Sequence, residues 1–160
     1  MGLFNKVFHG KEIEIGSPVN GEIVPITTVP DPVFSQEMVG RGIAIMPADG
    51  KFYAPCDGKL AVLFPTGHAY CIKSSEGAEI LIHIGIDTVK LQGKHFTMHT
   101  TQGSDVKKGD LIIEADLKAI KTAGFDIVTP IIISNHSDFS NLEKKEGPVS
   151  AGEAVILLTK

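Results

Sequence analysis

The sequence predicts an all-β fold, an antiparallel β-sandwich or flattened barrel with one or two short helical turns. Repeated turn-then-strand units are the first sign. "SPVNGEIV" (17–24) and "APCDGKLA" (54–61) share a proline, two residues, a glycine and an alternating strand. "GSDVKKGDLII" (103–113) and "GPVSAGEAVILL" (147–158) share a valine, two residues, a glycine–acid pair and an apolar strand. Such recurrence describes a β-architecture with internal quasi-symmetry. The second sign is punctuation, since seventeen glycines and nine prolines in 160 residues supply many tight turns. The third is the brevity of the helical signals, "FSQEMVG" (34–40) and "LKAIKTAG" (117–124), the latter stopped by Gly124.

The elements follow in order. In "MGLFNKVFHGK" (1–11), Leu3, Phe4, Val7 and Phe8 would share one helical face, but two turns of helix are marginal in water. Residues 1–11 therefore read as a flexible tail, and 12–160 as a single domain large enough to bury a core. Gly2 makes no myristoylation signal, because Lys6 stands where Ser or Thr is needed. "SSEG" (74–77) is a turn between two strands, which makes 68–73 and 79–86 an antiparallel hairpin. "IVTPIIIS" (127–134) reads as a buried strand with Pro130 at a bulge or edge.

Composition excludes several classes. A net charge of -4 suits neither nucleic acid nor a polybasic membrane surface. No apolar run reaches transmembrane length. Cys56 and Cys71 form no CxxC motif and read as reduced, structural thiols of a cytoplasmic protein.

The unusual run is "EILIHIGIDTV" (79–89), which sets His83 among isoleucines. Period two places Ile80, Ile82, Ile84 and Ile86 on the core face, and Leu81, His83, Gly85 and Asp87 on the other. A two-residue hairpin loop pairs His83 with His68, or with Tyr70 and His68 one diagonal step away. Both registers bring the imidazoles to one face, about 5 to 8 Å apart at Cβ. A three-residue loop would turn Ala69 and Cys71 away from the isoleucine side, against the apolar pattern. Paired histidines have three explanations: ordinary surface residues, a metal site that still needs a third ligand, or a nucleophilic histidine with a hydrogen-bonding neighbour.

These residues also carry a resemblance. "HIGIDTVKLQGKHF" (83–96), "TGHAYCI" (66–72), "VPDPVFSQEMVGRGIAIMP" (29–47), "SPVNGEIVPI" (17–26) and "TPIIISN" (129–135) together resemble the glucose-type enzyme IIA of the bacterial phosphoenolpyruvate-dependent sugar phosphotransferase system. The fifteen-residue spacing from His68 to His83 matches as well. The resemblance implies a phosphocarrier. His83 would accept a phosphoryl group from the small carrier HPr and pass it to a cysteine of a sugar-specific IIB domain. His68 would donate a hydrogen bond to the phosphoryl oxygens, with Thr66 orienting His68.

The resemblance also maps a docking patch onto Val33, Phe34, Val39, Phe64, Leu81 and Val89, with Phe34, Phe64 and Leu81 shifted towards an exposed ring around the histidines. Asp87, roughly 13 Å along an extended strand, would be a rim charge for partner arginines or a turn cap. No cofactor is required, although His68 and His83 form half of a zinc site that a partner carboxylate would complete. Membrane contact would come only through the permease complex; the unphosphorylated form regulates other transporters in enteric relatives, so the resemblance also implies regulated permeases or kinases as candidate partners. His9, His95, His99 and His136 read as surface residues. Two rival classes are a biotinyl or lipoyl carrier, whose lysine position holds Leu117, and a zinc hydrolase, whose HxH pair is missing.

Overall fold

The computed structural model of the protein describes residues 12–160, so the expected tail at 1–11 lies outside the described residues. Strands are numbered in chain order, and every pairing is antiparallel. The large sheet runs β13 (Gly147–Val149), β2 (Gly21–Val24), β3 (Arg41–Pro47), β11 (Thr129–Ile133), β7 (Glu79–His83), β6 (Ala69–Ser74), β5 (Gly58–Leu63) and β9 (Asp105–Val106). One small sheet joins β1 (Glu12–Gly16), β14 (Ala154–Thr159) and β12 (Asn141–Lys144). The other joins β4 (Lys51–Tyr53), β10 (Leu111–Ala115) and β8 (Phe96–Met98). All three sheets feed one main core, with Ile13 and Ile156, Phe52 and Ile113, and Leu60, Ile72 and Ile82 among its members.

The repeated sequence units interlock. The Gly16 amide donates to the Pro55 carbonyl at 2.9 Å, and the Tyr53 amide donates to the Pro18 carbonyl at 2.8 Å. Ser17 exchanges backbone bonds with Gly152 and Glu153 as Ala54 does with Gly109 and Asp110. The side chains repeat this. Asn20 Oδ1 accepts from the Ala151 amide at 2.7 Å, and Asp57 Oδ1 accepts from the Lys108 amide at 2.8 Å. A short acceptor before each glycine is what each unit needs to hold the facing turn.

The helical segments are short. Helix α1 (Pro32–Ser35) starts where Asp31 accepts from the Val33 amide at 3.0 Å and Pro32 presets the first turn. It ends well before residue 40, and Glu37 stands in the left-handed region at φ 57°. The expected stretch 34–40 is thus displaced towards the N-terminus. Helix α2 (Leu117–Thr122) is capped by Asp116, and Gly124 at φ 95° follows its end. Pro130 sits neither at an edge strand nor at a bulge. Strand β11 is interior, but its pairing with β7 begins only at Ile131, so Pro130 has a strand neighbour on one side only.

A second, smaller apolar cluster positions the site. The connector 25–40 between β2 and β3 folds over the other face of the large sheet. Its Ile26, Val29 and Phe34 pack with Ala44, Ile86, Val128 and Ile132, and Leu81 rests against them. Strand β11 is therefore buried on both faces, which accounts for its unbroken apolar run. Ile86 departs from the period-two expectation. Ile80, Ile82 and Ile84 enter the main core, whereas β7 ends at His83 and Gly85, at φ 76°, turns Ile86 into the second cluster.

Candidate functional site

The hairpin that carries the histidines has a different register from either expected one. Ala69 lies opposite His83, Tyr70 opposite Ile82 and Cys71 opposite Leu81. The loop is three residues long, closed by the Ser74 amide donating to the Ala78 carbonyl at 2.7 Å, with Gly77 at φ 100°. Glycine in the left-handed region is the usual requirement of such a loop. The apolar pattern misled for a physical reason. Tyr70 is fully buried in the main core with its hydroxyl donated to the Tyr53 carbonyl at 2.8 Å, and the face of Ala69 and Cys71 is partly covered by the second cluster.

The two imidazoles nevertheless meet. Their ring centroids are 5.0 Å apart, edge to face at 82°. His68 precedes β6 and follows a tight turn in which the Gly67 amide donates to the Phe64 carbonyl and Gly67 takes φ 72°. Strict alternation does not govern it there. The Ile84 amide donates to the His68 carbonyl at 2.8 Å, joining the two histidine-bearing segments at the backbone.

Each ring has its Nδ1 engaged. His83 Nδ1 lies 2.7 Å from the Gly85 carbonyl, which can only accept, so Nδ1 carries the proton and Nε2 keeps its lone pair. Thr66 Oγ1 lies 2.5 Å from His68 Nδ1, and the hydroxyl can donate or accept. Phe34 packs on His83 at 5.0 Å between centroids, and Phe64 on His68 at 5.2 Å. Burial, then the neighbouring His83, pushes the His68 pKa down to about 4. Burial also lowers that of His83, against the Gly85 carbonyl and the charges of Asp31 and Asp87, which favour the cation. Burial dominates, so both rings are neutral near pH 7.

The remaining expected residues divide. Val33, Val39, Phe64 and Val89 are 37–49% exposed, whereas Phe34 is only 5% exposed and belongs to the second cluster. Phe34 is therefore no part of an exposed ring, and Leu81 is half-buried. Asp87 is exposed and itself left-handed at φ 61°, and makes no side-chain cap bond. Because the chain turns at Gly85, its charge acts on His83 in spite of the extended-strand distance. Asp31 was not expected from the sequence as a neighbour of the site. Its legible signal was "PDPV", a helix cap, which points at structure rather than at chemistry.

Among the described residues, no group of three or more His, Cys, Asp or Glu side chains is placed to hold a metal ion. Two imidazoles alone fall short of the three or four protein ligands zinc takes. His99 pairs with Glu114 at 2.7 Å, and Leu117, at the position of a carrier lysine, opens α2. Cys56 and Cys71 are free thiols, pushed up to about 12 and about 11 chiefly by burial. No helix of the described residues is long and apolar enough to cross a membrane.

A facing pair of neutral histidines on an antiparallel β scaffold defines a class with relatives of known kind. The family model of the phosphoenolpyruvate-dependent sugar phosphotransferase system, EIIA 1, matches residues 13–139. The glucose-specific EIIA component of Haemophilus influenzae is 46% identical, over 100% of this chain and 99% of its own. A beta-glucoside-specific EIIBCA component of Halalkalibacterium halodurans is also 46% identical, over 94% of this chain but only 24% of that protein. Among solved structures, glucose permease IIA from Mycoplasma capricolum superposes with a TM-score of 0.86 at 37% identity, covering 95% of this chain and 99% of that one. The chain belongs to the EIIA 1 family of the sugar phosphotransferase system.

Proposed function

We propose that His83 is the phosphoryl-accepting residue of this family member, loaded by phospho-HPr and discharged to a cysteine of a sugar-specific IIB domain. The observation that carries the reading is the Gly85 carbonyl at His83 Nδ1, which leaves Nε2 as the one nitrogen with a free lone pair. In loading, the bond from phosphorus to its donor breaks as the P–Nε2 bond forms. In discharge, the thiolate of the IIB cysteine forms the P–S bond as the P–Nε2 bond breaks and its electron pair returns to Nε2, and the Gly85 carbonyl keeps the proton on Nδ1 throughout. Such transfer asks little covalent work of the protein beyond positioning and charge stabilisation.

His68 supplies stabilisation if Thr66 donates to its Nδ1, because the proton then sits on Nε2 and can be given to the phosphoryl oxygens. Asp31 and Asp87 would attract cationic side chains of the donor and acceptor, while the exposed Val33, Val39, Phe64 and Val89 would offer apolar surface to both. The fusion of EIIA to IIB and IIC segments in the beta-glucoside relative supports a IIB acceptor. The test is intact mass after incubation with phosphoenolpyruvate, enzyme I and HPr. One added phosphoryl group that moves on to a IIB domain is expected; no uptake would sink the proposal.

A further inference from the structure

The loop after His83 is held from several directions, and one of its anchors is a side chain with no assigned part. Thr88 is fully buried, and its hydroxyl donates to the Ile84 carbonyl at 2.6 Å. Its methyl carbon fills the space where a Cβ on Gly85 would stand, 2.7 Å from that position, and the Asp126 carbonyl lies at the same distance. On the far side of Gly85, the Ile86 amide donates to the Asp126 carbonyl at 3.0 Å, and Asp126 Oδ1 in turn accepts from the Val128 amide at 2.9 Å. The Gly85–Ile86 peptide is thereby clamped, with its N–H on Asp126 and its carbonyl on His83 Nδ1.

We infer that Thr88 is a positioning residue for His83, its hydroxyl fixing through the Ile84 carbonyl the peptide that keeps the proton on Nδ1. This rests on the reading of His83 as the phosphoryl acceptor. A bulky residue could pack the same buried space, but only a donor at this position ties down the Ile84 carbonyl. Without it, the left-handed Gly85 can rotate its carbonyl away from the ring, and the neutral imidazole is free to place its proton on Nε2. That tautomer has no lone pair where the phosphoryl group must attach.

The experiment compares Thr88→Val, Thr88→Ser and Thr88→Cys by nitrogen-15 NMR of the His83 ring and by loading from phospho-HPr. In the unmodified protein and in Thr88→Ser, the Nδ1–H tautomer should dominate. In Thr88→Val it should give way to a mixture, and loading should slow about tenfold or more, the scale expected of a misplaced reacting group. Thr88→Cys, close to serine in size with only a weak S–H donor, should fall between them and keeps the comparison available if the valine variant does not fold. An unchanged Nδ1–H tautomer in Thr88→Val, or in Thr88→Cys where valine fails to fold, overturns the inference. So does a serine variant as impaired as valine. The tautomer is read without any phosphoryl donor, so failure of the carrier reading would show as absent loading with the NMR ranking intact.

Discussion

The turn at 64–68 and the turn at 83–88 each present one imidazole, and they hold it by different means. His68 is 4% exposed, and its Nδ1 meets a side-chain hydroxyl that can act in either direction. His83 is half-buried, and its Nδ1 meets a backbone carbonyl that can only accept. On the phosphocarrier reading proposed above, the difference is a division of labour. A group that must always attack through one nitrogen is best tied to the main chain, which offers a single role. A group that must donate to a changing set of oxygens tolerates a partner able to rotate.

The largest expected effect breaks the comparison on its covalent side. His83→Ala should take up no label from radiolabelled phospho-HPr, and any stoichiometric uptake would mean that the wrong nucleophile is named. His68→Gln should still load, since an amide can donate one hydrogen bond. Its discharge to IIB should slow about a hundredfold, because the amide cannot take up positive charge as an imidazole can, and lost charge stabilisation at a transfer site has that usual scale. A glutamine variant that loads and discharges like the unmodified protein would make His68 a bystander. Thr66→Ala should cost less, roughly three- to tenfold in discharge, the worth of one hydrogen bond. Thr66→Ser should restore it, and a serine variant no better than alanine would remove the hydroxyl from the account.

Acid sharpens the contrast further. His68 has its pKa lowered to about 4 in the folded protein, against an unfolded value near 6.5. Below 6.5 the unfolded chain binds the proton first, so stability falls as pH drops through the interval from about 6.5 to about 4, and this contribution is level outside it. His83, also lowered, acts in the same direction. Melting temperatures followed by circular dichroism should decline less steeply across that interval in His68→Gln; parallel curves would contradict the burial account. The smallest effect concerns zinc. The isolated protein should bind it weakly through His68 and His83, tightening only when a partner supplies a carboxylate. Calorimetry showing tight binding, or binding that survives His83→Ala, would refute this.

Much of the fold was legible because turn chemistry is local. The proline-to-glycine units before β2 and β5, and the valine-to-glycine–acid units before β10 and β14, stand where the sequence put them. The all-β class followed from them. The register of the histidine hairpin was not legible, because it depended on which face was bare. No local pattern announces that the connector 25–40 folds back and covers the second face. For the same reason Phe34 was expected outside and lies inside, and Asp31 was not expected as a charge beside His83. The histidine pair survived the wrong register because His68 lies beyond the end of β6, where a turn rather than a ladder sets its direction.

The interlocked turns bear on how the chain comes to be folded at all. The amide of Ala151 finds its acceptor on Asn20, 131 positions away in sequence. Closing such a contact means ordering the 131 positions it spans before the bond rewards it, and proteins rich in non-local pairings fold slowly for their size. The clasp thus carries a large closure cost, and the two ends of the repeat pattern are joined by contacts that reward order only after it is made.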